Sequence, residues 1–331
     1  MRTPLLSLLT LTLVALATPQ FARSLERATV GLLRFTSSGP VFLALDRGYF
    51  RDAGLDVELA YFQAAPPVAA AAASQDVTFG VTALTAATYN LAAEGRLKII
   101  AGQANEQQGH SGSLILVAKP DYDRGLDSLD ELFDQPFGLT QVGSPSHYQL
   151  GQLASAADVA PDTLQIRAFQ TLPNLVAALK TGGVTWAIIA PPIASDLVDA
   201  GAVVSLGPYS DHAAYQFGAV VASEVLIEDR PNLVRSFLGA YRKGLADYAE
   251  IVLDPGSDRA RAAAEVVARY VYPDDDPAKA AATVLKSALY VDPTGVVDVA
   301  DVARQIDWYA ANGMLKSHPD ASSILRLDLM P

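Results

Sequence analysis

The sequence predicts an α/β protein of two lobes with a helical C-terminal tail, and three observations carry that prediction. Short β-type runs alternate with helical or Ala-rich stretches through the first two thirds of the chain, the pattern of layered sheet and helix. After Pro231 the strand signals give way to four helical patterns. Once an N-terminal leader is set aside, about 310 residues remain, too many for one small core and suited to two.

The leader comes first. Arg2 precedes an apolar stretch over residues 5–17, with small residues at Ala15, Ala17 and Ala22, the pattern of a cleavable secretory signal. Residues 1–22 are therefore expected to leave the mature chain. The apolar run falls short of the ~20 residues that span a bilayer, and it contains Ser7, Thr10 and Thr12. The Ala-rich run at 64–73 is interrupted by Pro66 and Pro67. A soluble periplasmic protein is expected. The chain has no cysteine, hence no disulfide, no thiolate chemistry and no lipid-anchoring Cys. Its formal charge of −12 becomes −13 when Arg2 leaves, and no run of five basic residues exists, so nucleic acid and anionic lipid are poor partners.

Strands are expected at 28–35, 55–62, 77–81 and 97–101, then at 114–118, 136–140, 164–169, 186–190, 203–206 and 219–222, with parallel pairing from the alternation. Helices are expected at 231–252, 258–270, 277–285 and 297–312, the last closed by Gly313. The acidic run Asp274, Asp275 and Asp276 before Pro277 reads as a helix start with negative charge at its favourable end. Charged or glycine turns near 118–121 and 218 place the lobe boundaries. The first lobe would take residues 24–117 plus 218–331 and the second 118–217, with a hinge where the chain crosses twice.

Ligands of open α/β sheets sit beyond the carboxyl ends of strands, where loops run into helix N-termini. Four junctions fit. Arg34 to Pro40 carries Thr36, Ser37 and Ser38; Gly80 to Leu84 carries Thr82; Gly143 to His147 carries Ser144 and Ser146; Ala190 leads into Pro191 and Pro192. Each is also good helix-start chemistry in its own right.

Pro40 to Ala44, then Asp46-Arg47-Gly48-Tyr49-Phe50 and Gly54-Leu55-Asp56-Val57, resemble the signature of periplasmic binding proteins of the nitrate, sulfonate and taurine type. Asp76 to Gly80, Gly143 to Leu150 with Leu153, Asn232 to Tyr241 and the closing Asn312-Gly313-Met314-Leu315 resemble the same family, so the likeness covers nearly the whole mature chain. It implies a two-lobed periplasmic binding protein fold, type II-like, whose cleft closes over one small molecule and presents it to an ABC permease in the inner membrane. It also implies ligand contacts from Thr36, Ser37, Ser38, Thr82, Ser144, Ser146 and His147. Thr185-Trp186-Ala187 stands where members often place an acidic residue, so ligand identity does not carry over.

Two ligand chemistries stay open. A sulfonate or carboxylate would suit helix N-termini, hydroxyls and Arg34. A planar heterocycle would suit an aromatic platform such as Trp186. Asn105 and His110, in a polar loop, and Pro191, at the fourth junction, complete the candidate ligand contacts. The histidine spacing is no metal signature, so neither metal nor cofactor is expected.

Enzymes of similar fold are the first rival. Thiamine-pyrimidine-precursor synthases carry a cysteine-rich motif that this chain lacks, and menaquinone-pathway enzymes are expected without a secretory leader. No G-x-S-x-G elbow or phosphate-cradling G-x-x-x-x-G-K occurs, so catalysis is not expected. A ligand-sensing module that contacts a receptor is the second rival, and genomic neighbourhood would separate it from a transport component. The chain is expected to act as a monomer.

Overall fold

A computed structural model describes residues 24–331, and the expected leader at 1–22 lies outside the described residues. In chain order the strands are β1 (Glu26–Leu32), β2 (Leu55–Tyr61), β3 (Phe79–Ala83), β4 (Lys98–Gly102), β5 (Asn105–Glu106), β6 (Leu114–Ala118), β7 (Phe137–Leu139), β8 (Ile166–Ala168), β9 (Trp186–Ile189), β10 (Val203–Pro208), β11 (Tyr215–Gln216) and β12 (Gly218–Ala222). The first sheet has the order β2-β1-β3-β12-β4 and the second β10-β6-β9-β7-β8. The central strands read as continuous apolar runs because helices cover both faces: β3 and β12 are buried along their whole length.

The pairing departs from the all-parallel expectation at two strands. β1 runs parallel to β2 and β3, and β7 parallel to β8 and β9. β12 runs antiparallel between β3 and β4, and β6 antiparallel between β9 and β10. These are the strands on which the chain arrives from the other sheet. They do not follow a helical crossover within their own sheet, so nothing forces a parallel return. The same observation corrects the lobe boundary: β6, assigned above to the first lobe, lies inside the second sheet. The crossings fall between β4 and β6 and between β10 and β12, where β5 and β11 pair as a two-stranded ribbon of their own.

The helical tail is present as expected. The helix Pro231–Leu253 packs Phe237 between Phe79 of β3 (ring centroids 3.9 Å) and Phe50 (5.2 Å). At Gly244 a Cβ would stand 2.0 Å from the Pro40 carbonyl oxygen, so this glycine permits the close approach of the tail to the helix Gly39–Asp46. The helix Val299–Ala311 touches three parts at once. Gln305 Oε1 accepts from Tyr89 on the helix Ala86–Ala93 (3.0 Å), while Gln305 Nε2 donates to the Gln216 carbonyl of the ribbon (2.9 Å). Asp301 accepts from the Gln216 N–H (2.7 Å). On the other side Trp308 packs over Gly151 of the helix Pro145–Ala156. No helix among the described residues is long and apolar enough to cross a membrane.

Candidate functional site

The two sheets face each other across a cavity of about 810 Å³, counted to its open mouth. The first sheet supplies Phe35, Ser37 and Ser38 after β1, Gln63 to Ala65 after β2, Val81 to Ala83 of β3 and Gln103 after β4. The second supplies Thr140 after β7, Leu172 and Leu175 after β8 and Ile188 to Ala190 at the end of β9. The start of the helix Pro145–Ala156 adds Ser144, Pro145, Ser146 and Gln149. The walls thus come from the carboxyl ends of the parallel strands, where this architecture leaves loops free of the sheet ladder.

Five of the candidate residues meet on this cavity: Ser37, Ser38, Thr82, Ser144 and Ser146. The others are placed elsewhere, each for a definable reason. Arg34 stacks on the Tyr61 ring (3.8 Å to the centroid) and donates to the Tyr270 carbonyl (2.9 Å), so its charge is held on the outer side of the loop. Thr36 turns inward in a tight turn and donates to the Ser287 carbonyl (3.4 Å). Trp186 is fully buried in β9, edge-on to Phe137 (4.7 Å), with its indole N–H donating to the Gln135 carbonyl. It is a core residue of the second sheet and does not reach the cavity wall. Asn105 lies on the ribbon, its N–H donating to the Tyr290 carbonyl (2.9 Å), and the His110 ring packs beside Tyr290 (4.9 Å). At the fourth junction Ala190 reaches the wall and Pro191 does not.

His147 sits in the first turn of the helix and does not line the cavity. Its Nδ1 accepts from the Gly143 N–H (3.1 Å) and its ring packs edge-on to Trp308 (5.4 Å). Nδ1 must therefore be unprotonated, and burial pushes the imidazole down from 6.5 to about 4.

The sequence reading missed the polar residues that matter most in this wall. Gln103 is 4% exposed; its Nε2 donates to the Ser37 carbonyl (3.0 Å), and its Oε1 is buried without a partner. Gln149, 1% exposed, donates from Nε2 to the Glu106 carboxylate (3.3 Å). Glu106 lies behind the wall, fully buried on β5, and also accepts from the N–H (3.0 Å) and hydroxyl (2.6 Å) of Ser113, another lining residue. Burial pushes its carboxyl up from 4.5 to about 7, against the pull of those hydrogen bonds. Two signals pointed to the glutamines. Gln103 follows directly on a strand's carboxyl end, and Gln149 stands three residues beyond Ser146 on the same helix, hence on its face.

The family model described as NMT1/THI5 like matches residues 36–251, about two thirds of the chain and most of both sheets. No curated protein matches the sequence significantly. Among solved structures, the alkanesulfonate-binding protein SsuA from Xanthomonas axonopodis pv. citri, bound to MOPS, is similar at 16% identity with a TM-score of 0.73, over 92% of this chain and 100% of that one. The periplasmic nitrate-binding protein NrtA from Synechocystis PCC 6803 is similar at 13% identity with a TM-score of 0.72, over 92% and 87%. The desulfurization enzyme DszB is similar at 12% identity with a TM-score of 0.59, over 92% and 97%. At such identities the likeness carries the fold alone, and binding proteins and an enzyme share it. With the family match across both sheets and this likeness over nearly the whole described chain, the protein belongs to the NMT1/THI5-like family and has the periplasmic binding protein fold.

Proposed function

We propose that the chain is the solute-binding component of an ABC importer, exported to the periplasm, which captures one small organic molecule between its two sheets and delivers it to a permease. One observation carries the reading: a single cavity takes its walls from both sheets, while the connections between those sheets run through a ribbon of two-residue strands. A molecule seated there touches both sides and favours the closed arrangement, which a permease can then recognise.

Catalysis is not part of this proposal. Glu106, behind the wall, is fully buried and held by Ser113 and Gln149, so its carboxyl is not presented to a bound molecule. Small-angle scattering of the mature protein tests the reading. Addition of the retained solute should reduce the radius of gyration, and turnover of that solute with no change in radius would replace the importer reading with an enzymatic one.

A further inference from the structure

Resting on the solute-binding reading, a carboxyl that does not itself line the cavity is placed to govern its closing. Glu106 stands on β5, in the ribbon through which the chain passes between the sheets, directly opposite Tyr215 of β11. Both of its hydrogen-bonding partners belong to the second layer, and both line the cavity. Ser113, which leads into β6, gives Glu106 its N–H (3.0 Å to Oε1, 3.2 Å to Oε2) and its hydroxyl (2.6 Å). Gln149, on the helix Pro145–Ala156, adds its Nε2 (3.3 Å). The carboxyl therefore lies one side chain behind the wall and ties that wall to the hinge.

The chain is shaped to this contact. At Gly112 a Cβ would collide with Glu106 Oε2 and the Ser210 hydroxyl, so glycine lets the backbone fold over the carboxyl and aim the Ser113 N–H at both oxygens. No cation stands beside Glu106 among the described residues. The titratable groups around the ribbon are Tyr215, Tyr209 after β10, Tyr148 on the helix Pro145–Ala156 and Asp301 on the helix Val299–Ala311, with the His110 ring against Tyr290. Burial pushes the three phenols up, so they stay protonated at neutral pH. Asp301 is held by the Gln216 N–H, by Gln305 and by Arg304.

The same partners serve either form of the acid. An ionised carboxylate accepts all of these bonds. A protonated one must also donate, and only the Ser113 hydroxyl can accept from it, because the Ser113 N–H and Gln149 Nε2 can only donate. That hydroxyl has only to reverse its hydrogen bond, and no heavy atom need move. What separates the two forms is the cost of the charge. Burial already holds the carboxyl up at about 7, so the balance lies in the neutral range. Where the lobes stand apart, water in the cavity comes within one side chain of Glu106. Where they close over a solute that water is expelled, and the charged form costs more.

We infer that Glu106 is a positioning residue for solute capture: from the hinge ribbon it holds Ser113 and Gln149 in the wall, and it takes up a proton as the lobes close. A group that binds its proton more tightly in the closed state favours closure at low pH, and that contribution is lost as pH rises through neutrality. Capture tightens as pH falls.

The test uses the mature full-length chain, with the low-molecular-weight fraction of the source cells as probe. The compound that stays bound through gel filtration is released, identified by mass spectrometry and titrated back by calorimetry between about pH 5.5 and about pH 8.5. Binding should weaken about three- to tenfold from the acid to the alkaline end, as expected if closure raises the carboxyl by half a unit to one unit. At neutral pH, titrations in buffers of different ionisation enthalpy should show net proton uptake by the wild type, a reading that needs no variant. Glu106→Gln, checked for folding by its unliganded melting curve, keeps the donor and acceptor pair but cannot titrate, and should flatten the pH dependence. His147 and Asp301 remain in that variant, as does any titration of the solute itself, so the slope it removes belongs to Glu106. A wild type with no proton uptake, or a folded variant that keeps the wild-type slope, overturns the inference and leaves solute binding intact. Retention of no compound removes the solute-binding reading and the inference with it.

Discussion

Glu106→Gln should change how the stability of the folded protein depends on pH, and the sign of the change follows from burial. Glu106 has no exposed surface, no cation beside it, and three hydrogen bonds that are weaker in sum than the cost of burying its charge. Its carboxyl titrates near 4.5 when the chain is unfolded and near 7 when it is folded. Between those values the folded state holds a proton that the unfolded state has lost. The stabilisation is complete below 4.5 and is lost as pH rises through 7. A separation of this size corresponds to about 3 kcal/mol. His147 works in the opposite direction: its folded value lies near 4 and its unfolded value near 6.5, so its contribution is complete above 6.5 and is lost as pH falls through 4. The two slopes oppose each other between pH 4.5 and 6.5, and the wild type should show a plateau there followed by a decline through pH 7. Glu106→Gln removes the second half of that balance. Urea denaturation of both proteins across this range reads the difference directly. The difference in unfolding free energy should be small at pH 4.5 and grow in the variant's favour to about 3 kcal/mol above pH 7. Parallel curves for the two proteins would show that Glu106 does not change its protonation in this range, and would refute the argument from burial.

Two further expectations concern packing. Trp186→Ala empties the centre of the second sheet beside Phe137 and Phe133 and should cost about 3–5 kcal/mol by chemical denaturation, while the remaining folded protein keeps its ligand affinity; a loss of affinity without loss of stability would return Trp186 to the site. At Gly151 a Cβ would stand 2.1 Å from the Trp308 ring, so Gly151→Ala should destabilise by about 1–3 kcal/mol as the C-terminal helix is pushed off the second layer; an unchanged melting temperature would show that Trp308 moves aside freely.

How much of this could be read from the residues depended on whether the signal was local. The strand at 55–61 and the tail helix at 231–253 declare themselves by alternation and by a continuous apolar stripe, and they were placed to within a residue or two. The antiparallel insertion of β12 between β3 and β4 is set by contacts more than a hundred residues apart, to which no local pattern corresponds. The same division holds at the cavity. Ser37, Ser38, Thr82, Ser144 and Ser146 were legible because strand-to-helix junctions are marked by small hydroxylated residues. Arg34 was misplaced because its sequence position gives the loop but not the direction of the side chain, which Tyr61 and Tyr270 decide. Gln103 and Gln149 were overlooked because an amide in a sequence has no orientation; only Ser37 and Glu106, brought near by the fold, fix where each Nε2 points.

The position of β12 also orders events during synthesis. The second sheet is built from the continuous stretch between residues 114 and 208 and has all its strands as soon as that stretch is made. The first sheet cannot close until residue 222 has appeared, because β3 and β4 have no direct pairing and wait for a strand that begins 116 residues after β4 ends at Gly102. Until then two unpaired strand edges stay open to solvent, and the half of the molecule made first is the half completed last.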